Sequence, residues 1–280
     1  AAYIFYKSGG TWAQQAKLMV SDAASNDQAG EFVNIFGDYA IIGVYTKSSS
    51  AGAAYIFKRT GTTWAQQEKI TASDAASNDY FGNSVSLNGD YAIVGSPYND
   101  DTASNSGSAY IFIRSGTNWT EQQKIVASDA ASHDEFGLCV DISGDYVISG
   151  ANSGDQRPGS AYIFKRSGTS WTQQAKLQAS DGATGDRFGK AVALSGDYAV
   201  VGAYNDTSGA GSAYIFKKDT GAETWTQQQK LTASDAASND YFGWKVEISG
   251  DIAVIGAYYA DPGGVSGAGA GDGTLDQEDP

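Results

Sequence analysis

Ten aspartates stand in five pairs, Asp22/Asp27, Asp74/Asp79, Asp129/Asp134, Asp181/Asp186 and Asp235/Asp240, each with the same five-residue spacing. Every pair lies in a short polar run of the form SDAASND, whose small residues and carboxylates are loop signals. Two chemistries suit such pairs. Aspartates in tight turns accept backbone N–H groups and lock the loop. Carboxylates joined by loop carbonyls also make oxygen-rich cation sites, for which Ca2+ is the fitting ion. The ten are therefore the candidate metal ligands, and Ca2+ is the candidate cofactor. Near the C-terminus Asp272, Asp276 and Asp279 carry part of a calcium-loop spacing but lack its full alternation of oxygen ligands.

Other catalytic constellations are sparse. The one histidine, His133, occupies the column that holds Asn26, Asn78 and Asn239, so it reads as a loop substitution, and a Ser-His-Asp system would rest on it alone. Zinc-ligand spacing is missing. A glycosidase needs two carboxyl groups in unlike environments, whereas these loops are near copies, which makes catalysis the weakest of three readings. The single cysteine, Cys139, excludes an internal disulfide framework; in FGLCVDI it reads as a small buried strand residue.

The elements that must carry these loops form a repeat. Trp12, Trp64, Trp119, Trp171 and Trp225 recur at spacings of 52, 55, 52 and 54 residues, and the aspartates keep step. A period of this size marks a solenoid, propeller or array, because one unit cannot bury its apolar faces alone. The YIF runs at residues 3–5, 55–57 and 110–112 alternate with apolar residues on both sides, as a strand sandwiched between neighbours does. The WAQQAKL run after each is a polar strand fit for an outer edge. A strand from Gly30 to Ile35, the turn Gly37-Asp38 and the run Tyr39–Gly43 read as a hairpin that recurs as VSLNGDYAIVG, VDISGDYVISG, VALSGDYAVVG and VEISGDIAVIG.

Four short antiparallel strands per unit predict an all-β, five-bladed β-propeller spanning residues 1–261. The chain begins with the third and fourth strands of a unit and reaches the first and second near Tyr259, so the N-terminal strands are expected to complete the last blade and close the ring. Residues 262–280 are Gly-rich and acidic and read as a flexible tail. The repeated tryptophans suit packing between outer strands, with sugar stacking as the alternative.

With 32 acidic and 18 basic residues the net charge is −14, which argues against nucleic acid and anionic membranes as partners. No apolar run approaches the roughly 18 to 20 residues of a membrane span, so no membrane insertion is expected. The sequons at Asn118 and Asn205 fit a secreted chain. Starting mid-unit at Ala1 without Met or signal peptide, the chain reads as a processed product or as one module of a larger protein.

In a propeller the connectors between blades share a face with the loops that join second and third strands. Those second loops vary most, and variable loops on a rigid scaffold are the usual place for recognition. Tyr98, Asn99, Asp100, Asp101, Asn152, Asp155, Arg157, Tyr204, Asn205, Asp206, Tyr258 and Tyr259 are the candidate ligand-binding residues.

The pairs Phe81-Gly82, Phe136-Gly137, Phe188-Gly189 and Phe242-Gly243, each followed by Gly-Ser or Gly-Ala such as Gly150-Ala151, Gly202-Ala203 and Gly256-Ala257, resemble the FG-GAP repeat family. The first unit departs, with Ala29-Gly30 and Gly43-Val44 in those places. The resemblance implies a β-propeller, often extracellular or on the cell surface, used for adhesion and ligand binding. The family's integrin α-subunit propellers have seven blades, some with calcium loops inside the blade hairpin. Here the hairpin turn is only Gly-Asp, too short to wrap an ion, and five units are present, so neither feature carries over. The expected function is a non-catalytic extracellular binding or adhesion propeller recognising a protein or matrix partner. The alternative is a multivalent lectin with a glycan ligand and repeated sites.

Overall fold

The computed structural model describes residues 1–153 and 157–260. Twenty strands fall into four four-stranded antiparallel sheets and two two-stranded ones. An N-terminal hairpin, β1 (Ala2–Ser8) and β2 (Thr11–Leu18), precedes the first full blade, β3 (Phe32–Phe36), β4 (Tyr39–Val44), β5 (Ala53–Thr60) and β6 (Thr63–Ile70). The second blade comprises β7 (Ser84–Asn88), β8 (Tyr91–Ser96), β9 (Ser108–Ser115) and β10 (Asn118–Ile125). The third comprises β11 (Val140–Ser143), β12 (Tyr146–Ala151), β13 (Ser160–Ser167) and β14 (Ser170–Leu177). The fourth comprises β15 (Phe188–Ser195), β16 (Tyr198–Ala203), β17 (Ser212–Lys218) and β18 (Trp225–Leu231), and a last hairpin, β19 (Phe242–Ser249) and β20 (Ile252–Ala257), follows. This is the expected blade arithmetic. The first strand of blade one starts at Phe32 rather than Gly30, because Gly30 sits at φ +107° in the turn before it.

Each blade's first hairpin turns on Gly-Asp with the glycine at positive φ, as at Gly196 (φ +57°), which lets a two-residue loop follow the strand twist. Strands three and four carry a β-bulge in every blade. The bulge skips one glutamine, Gln15, Gln67, Gln122, Gln174 or Gln228, and turns it out of the ladder.

Blades stack through their apolar faces. Between the first two blades, Ile56 and Ile70 pack against Leu87, Ala92 and Trp119, with Tyr39 at the edge. The motif glycines make this approach close: a Cβ on Gly202 would lie 2.0 Å from the carbonyl oxygen of Gly243 in the next blade. Trp119, Trp171 and Trp225 are buried and Trp64 is half-buried, which bears out packing at those positions. Trp12 departs from the column, with 65 % of its surface exposed.

Ring closure is not observed: β1–β2 and β19–β20 remain separate two-stranded sheets. The exposed large apolar residues sit on these hairpins, on β3 and beside their ends, among them Tyr3, Phe5, Ile35, Ile252 and Val254. The tail expected at 262–280, including Asp272, Asp276 and Asp279, lies outside the described residues.

Candidate functional site

The paired aspartates divide their labour. The second of each pair caps its own turn: Asp27, Asp79, Asp134, Asp186 and Asp240 accept the backbone N–H three residues earlier, at 2.6–2.9 Å. The first is taken by the blade that follows. Asp22 accepts from Tyr55 Oη (2.6 Å) and Lys69 Nζ (2.7 Å). Asp74 holds Tyr110 and Lys124 in the same way, Asp129 holds Tyr162 and Lys176, and Asp181 holds Tyr214 and Lys230. Within each trio the lysine also lies 5.4–5.5 Å from the centre of the tyrosine ring.

These contacts set the ionisation of the carboxyls. The Lys69 and Tyr55 hydrogen bonds hold Asp22 down at about 2. Lys230 lowers Asp181 likewise; at Asp74 and Asp129 burial opposes ionisation, but the lysine and tyrosine outweigh it. Burial instead raises Asp79 and Asp186, against the backbone N–H groups that each accepts. In blade one Lys47 contacts both Asp22 and Asp27, the latter at 2.7 Å, and Asp27 is lowered. A cation at Asp22, Asp74, Asp129 or Asp181 would have to displace an ammonium, and among the described residues no cluster of three or more acidic, histidine or cysteine groups is placed to hold a metal. The donor set therefore does not fit Ca2+.

The connector and the variable loop do share a face. Backbone N–H groups of Tyr98, Ser153, Asn205 and Tyr259 donate to the carbonyls of Asp79, Asp134, Asp186 and Asp240. The candidate residues there are not equally available. Asn99, Asn152 and Asp206 are buried. Asn99 bridges Ser108 (2.9 Å) and Lys124 (3.0 Å), and Asp206 accepts from Ser212 (2.6 Å) and Lys230 (2.5 Å). Burial sets these three apart from the exposed candidates on the same face. Asp100, Asp101, Tyr258 and Tyr259 are exposed, and Tyr98, Arg157, Tyr204 and Asn205 are half-buried. Arg157 pairs with Asp134 at 2.9 Å, and Asp101 pairs with Lys124. Asp155 lies outside the described residues. Of the two sequon asparagines, Asn118 is exposed at the start of β10, whereas the amide of Asn205 donates to the Gly185 carbonyl (2.8 Å).

Two features of the face were not read from the sequence. Gln28, Tyr80, Glu135, Arg187 and Tyr241, the residues before each Phe-Gly or its equivalent, all hold φ between +48° and +60°. Bulky side chains in the left-handed region are uncommon, so one strained backbone position displays four kinds of side chain in five units. The second feature is an aromatic cluster. Trp244 lies near-parallel to Tyr258 (5.1 Å, 19°) and Tyr241 (6.0 Å, 24°), with Tyr204 edge-on at 4.6 Å and Tyr259 against Tyr258 at 4.5 Å. Lys190 Nζ sits 5.2 Å from the Trp244 ring. Trp244 is the sixth tryptophan, outside the repeated column, and that break in periodicity was the available signal.

His133 takes the left-handed position (φ +62°) that Asn26, Asn78, Gly185 and Asn239 take elsewhere, and its ring nitrogen lies 3.5 Å from the Asn105 amide. That is a conformational role shared with residues that tolerate positive φ. Cys139 is a free thiol, but it is half-buried just ahead of β11 rather than inside a strand, with its sulfur 3.4 Å from the Val192 nitrogen.

Blades of four antiparallel strands, each locked to the next through one connector, define a propeller-type repeat protein. The FG-GAP repeat pattern matches five times, at residues 12–57, 64–112, 119–164, 171–216 and 225–270. The chain belongs to the FG-GAP repeat family. No curated protein matches the chain.

Proposed function

We propose that this chain is a non-catalytic binding propeller, acting outside the cell or at its surface, whose five-bladed ring is completed when β1 adds to the edge of β20. It recognises a protein or matrix partner through the face that carries the variable loops. The observation supporting this most directly is the aromatic cluster around Trp244, in which Tyr258 and Tyr259 are 60 % and 50 % exposed on that face. Aromatic side chains of this kind are the usual anchors of protein interfaces. The same connector locks recur beneath the loops, so the face is held by a rigid frame while its side chains differ from blade to blade.

A lectin reading draws on one feature, the near-parallel Trp244 and Tyr258 rings, which offer a flat surface for a sugar. It favours one glycan site over five equal ones, because the repeated polar residues are engaged within the scaffold. The purified chain should be tested against a glycan array and a panel of immobilised matrix proteins. Whichever probe binds, Tyr258→Ala is expected to weaken binding about tenfold or more while leaving the melting temperature nearly unchanged. Undiminished binding by Tyr258→Ala and by Trp244→Ala would remove the aromatic cluster from the site.

A further inference from the structure

A pocket of about 310 Å3 opens between the fourth blade and the last hairpin, lined by Tyr198, Ile215, Leu231, Ile248, Asp251 and Ala253. In the repeat these positions correspond to Tyr39, Ile56, Ile70, Leu87, Asp90 and Ala92 of the first two blades. There, all but Asp90 belong to or pack on a core that also holds Trp119. The residue in the column of Trp119 that would fill the new pocket is Trp12, the exposed member of the series. We propose that this pocket is the seat of Trp12 from the same chain, and that the N-terminal hairpin β1–β2 is a clasp whose side chains are already arranged for it. The proposal rests on the ring closure proposed above and adds the contacts that hold it.

Those contacts follow from the blades that are complete. Each buried tryptophan packs against a tyrosine of the preceding blade: Trp119 on Tyr39 (5.9 Å), Trp171 on Tyr91 (5.7 Å) and Trp225 on Tyr146 (6.0 Å). Each also donates its indole N–H to the bulged glutamine of that blade, as Trp171 does to Gln122 (3.0 Å) and Trp64 to Gln15 (2.7 Å). Trp12 therefore meets Tyr198 and Gln228, and Gln228 is already turned out by its bulge. At the loop face the Tyr-Lys-Asp trio is complete in four places; the fifth would be Tyr3, Lys17 and Asp235. Lys17 Nζ already lies 5.7 Å from the Tyr3 ring, close to the spacing of the finished trios, and among the described residues Asp235 has no hydrogen bond or ion pair. At the turn between each blade's first two strands, Arg114–Asp90, Arg166–Asp145 and Lys218–Asp197 predict Lys7–Asp251.

Two observations make the same chain the occupant. The clasp is docked beside the first blade, where Leu18 and Val20 are buried against Ile42, Val44 and Tyr55. Lys245 on β19 lies 5.6 Å from the ring of Phe32 on β3, so the last and first blades already meet at their inner strands. Room has also been left at the joint. Gly43, Gly95, Gly150 and Gly202 each face a glycine carbonyl of the following blade, with a Cβ placed 1.9–2.0 Å from it, whereas among the described residues a Cβ on Gly256 meets nothing nearer than 3.7 Å, a space that Gly30 would fill.

Aligning β20 and β1 on β16 and β17 pairs Val254 with Ile4, as Val200 pairs with Ile215. The test uses the full chain carrying Cys139→Ala, Ile4→Cys and Val254→Cys, oxidised and run without reductant, together with oxidative footprinting of the tryptophans in the Cys139→Ala parent. The expected result is an intrachain disulfide, and oxidation of Trp12 slowed about tenfold relative to the denatured chain, as for Trp171. An intrachain disulfide with Trp12 oxidised as fast as in the denatured chain would keep the ring and overturn the seat. Disulfide-linked dimers, or no disulfide, would overturn closure within one chain and the seat with it.

Discussion

At the scale of single residues, the carboxylates matter most for how their charge is used. Asp141 on β11 accepts from Ser86 Oγ (2.7 Å), Leu194 N (2.7 Å) and its own neighbour Ile142 N (2.8 Å), tying three blades together at their inner strands. Burial pushes its carboxyl up to about 6. The folded state then binds a proton more tightly than the unfolded chain, so this group's contribution falls as pH rises from about 4 to about 6. Thermal melts across that window should show Asp141→Asn losing less stability with rising pH than the parent. Asp22, held at about 2 by Lys69 and Tyr55, works the other way: its contribution is present above about 4 and is lost as pH falls toward 2. Asp22→Asn should therefore flatten the acid limb of the same melts. Trp171, 2 % exposed, belongs to the apolar side of the ledger, and Trp171→Ala should cost about 3 to 5 kcal/mol in denaturant unfolding. A Trp171→Ala protein that melts like the parent would contradict its place between blades.

At the scale of elements, glycines of the same repeat do different work. Gly202→Ala would drive a Cβ into a backbone carbonyl of the next blade and should destabilise strongly, whereas Gly196→Ala meets open space in its hairpin and should lose only about 1 kcal/mol, from the positive φ. Calorimetry on the pair separates blade packing from turn conformation; equal losses would mean that the blades are not in the close approach described. The strands were legible in the sequence because they alternate around fixed turns. The edge of β3 was misplaced because Gly30, expected to open the strand, lies ahead of it as Gly82 and Gly137 lie ahead of β7 and β11, whereas Gly189 and Gly243 fall inside β15 and β19. The bulged glutamines were hidden: the Gln-Gln dipeptide is visible, but that the residue three after each tryptophan leaves the ladder to take a neighbour's indole depends on contacts about 50 residues apart.

At the scale of the whole molecule, periodicity told the number of units, yet not how the face is used. The aspartate columns were plain, but which carboxylate caps a turn and which holds a tyrosine and a lysine is decided by strands packed later in the chain. Asn99 and Asp206 sit in the most variable loops and looked exposed for that reason, although both are buried beneath the surface that carries Tyr258 and Tyr259. Trp244 escaped notice because the repeat drew the eye to the other five tryptophans. The proposed binding function depends on the ring being closed, since an open β20 would leave an unpaired edge and an apolar face beside the proposed binding surface. The most direct measurement is amide hydrogen exchange of β1 and β20 in the native chain. Closure predicts that they are protected like the paired strands β16 and β17. Exchange in both at the rate of exposed loops would contradict it.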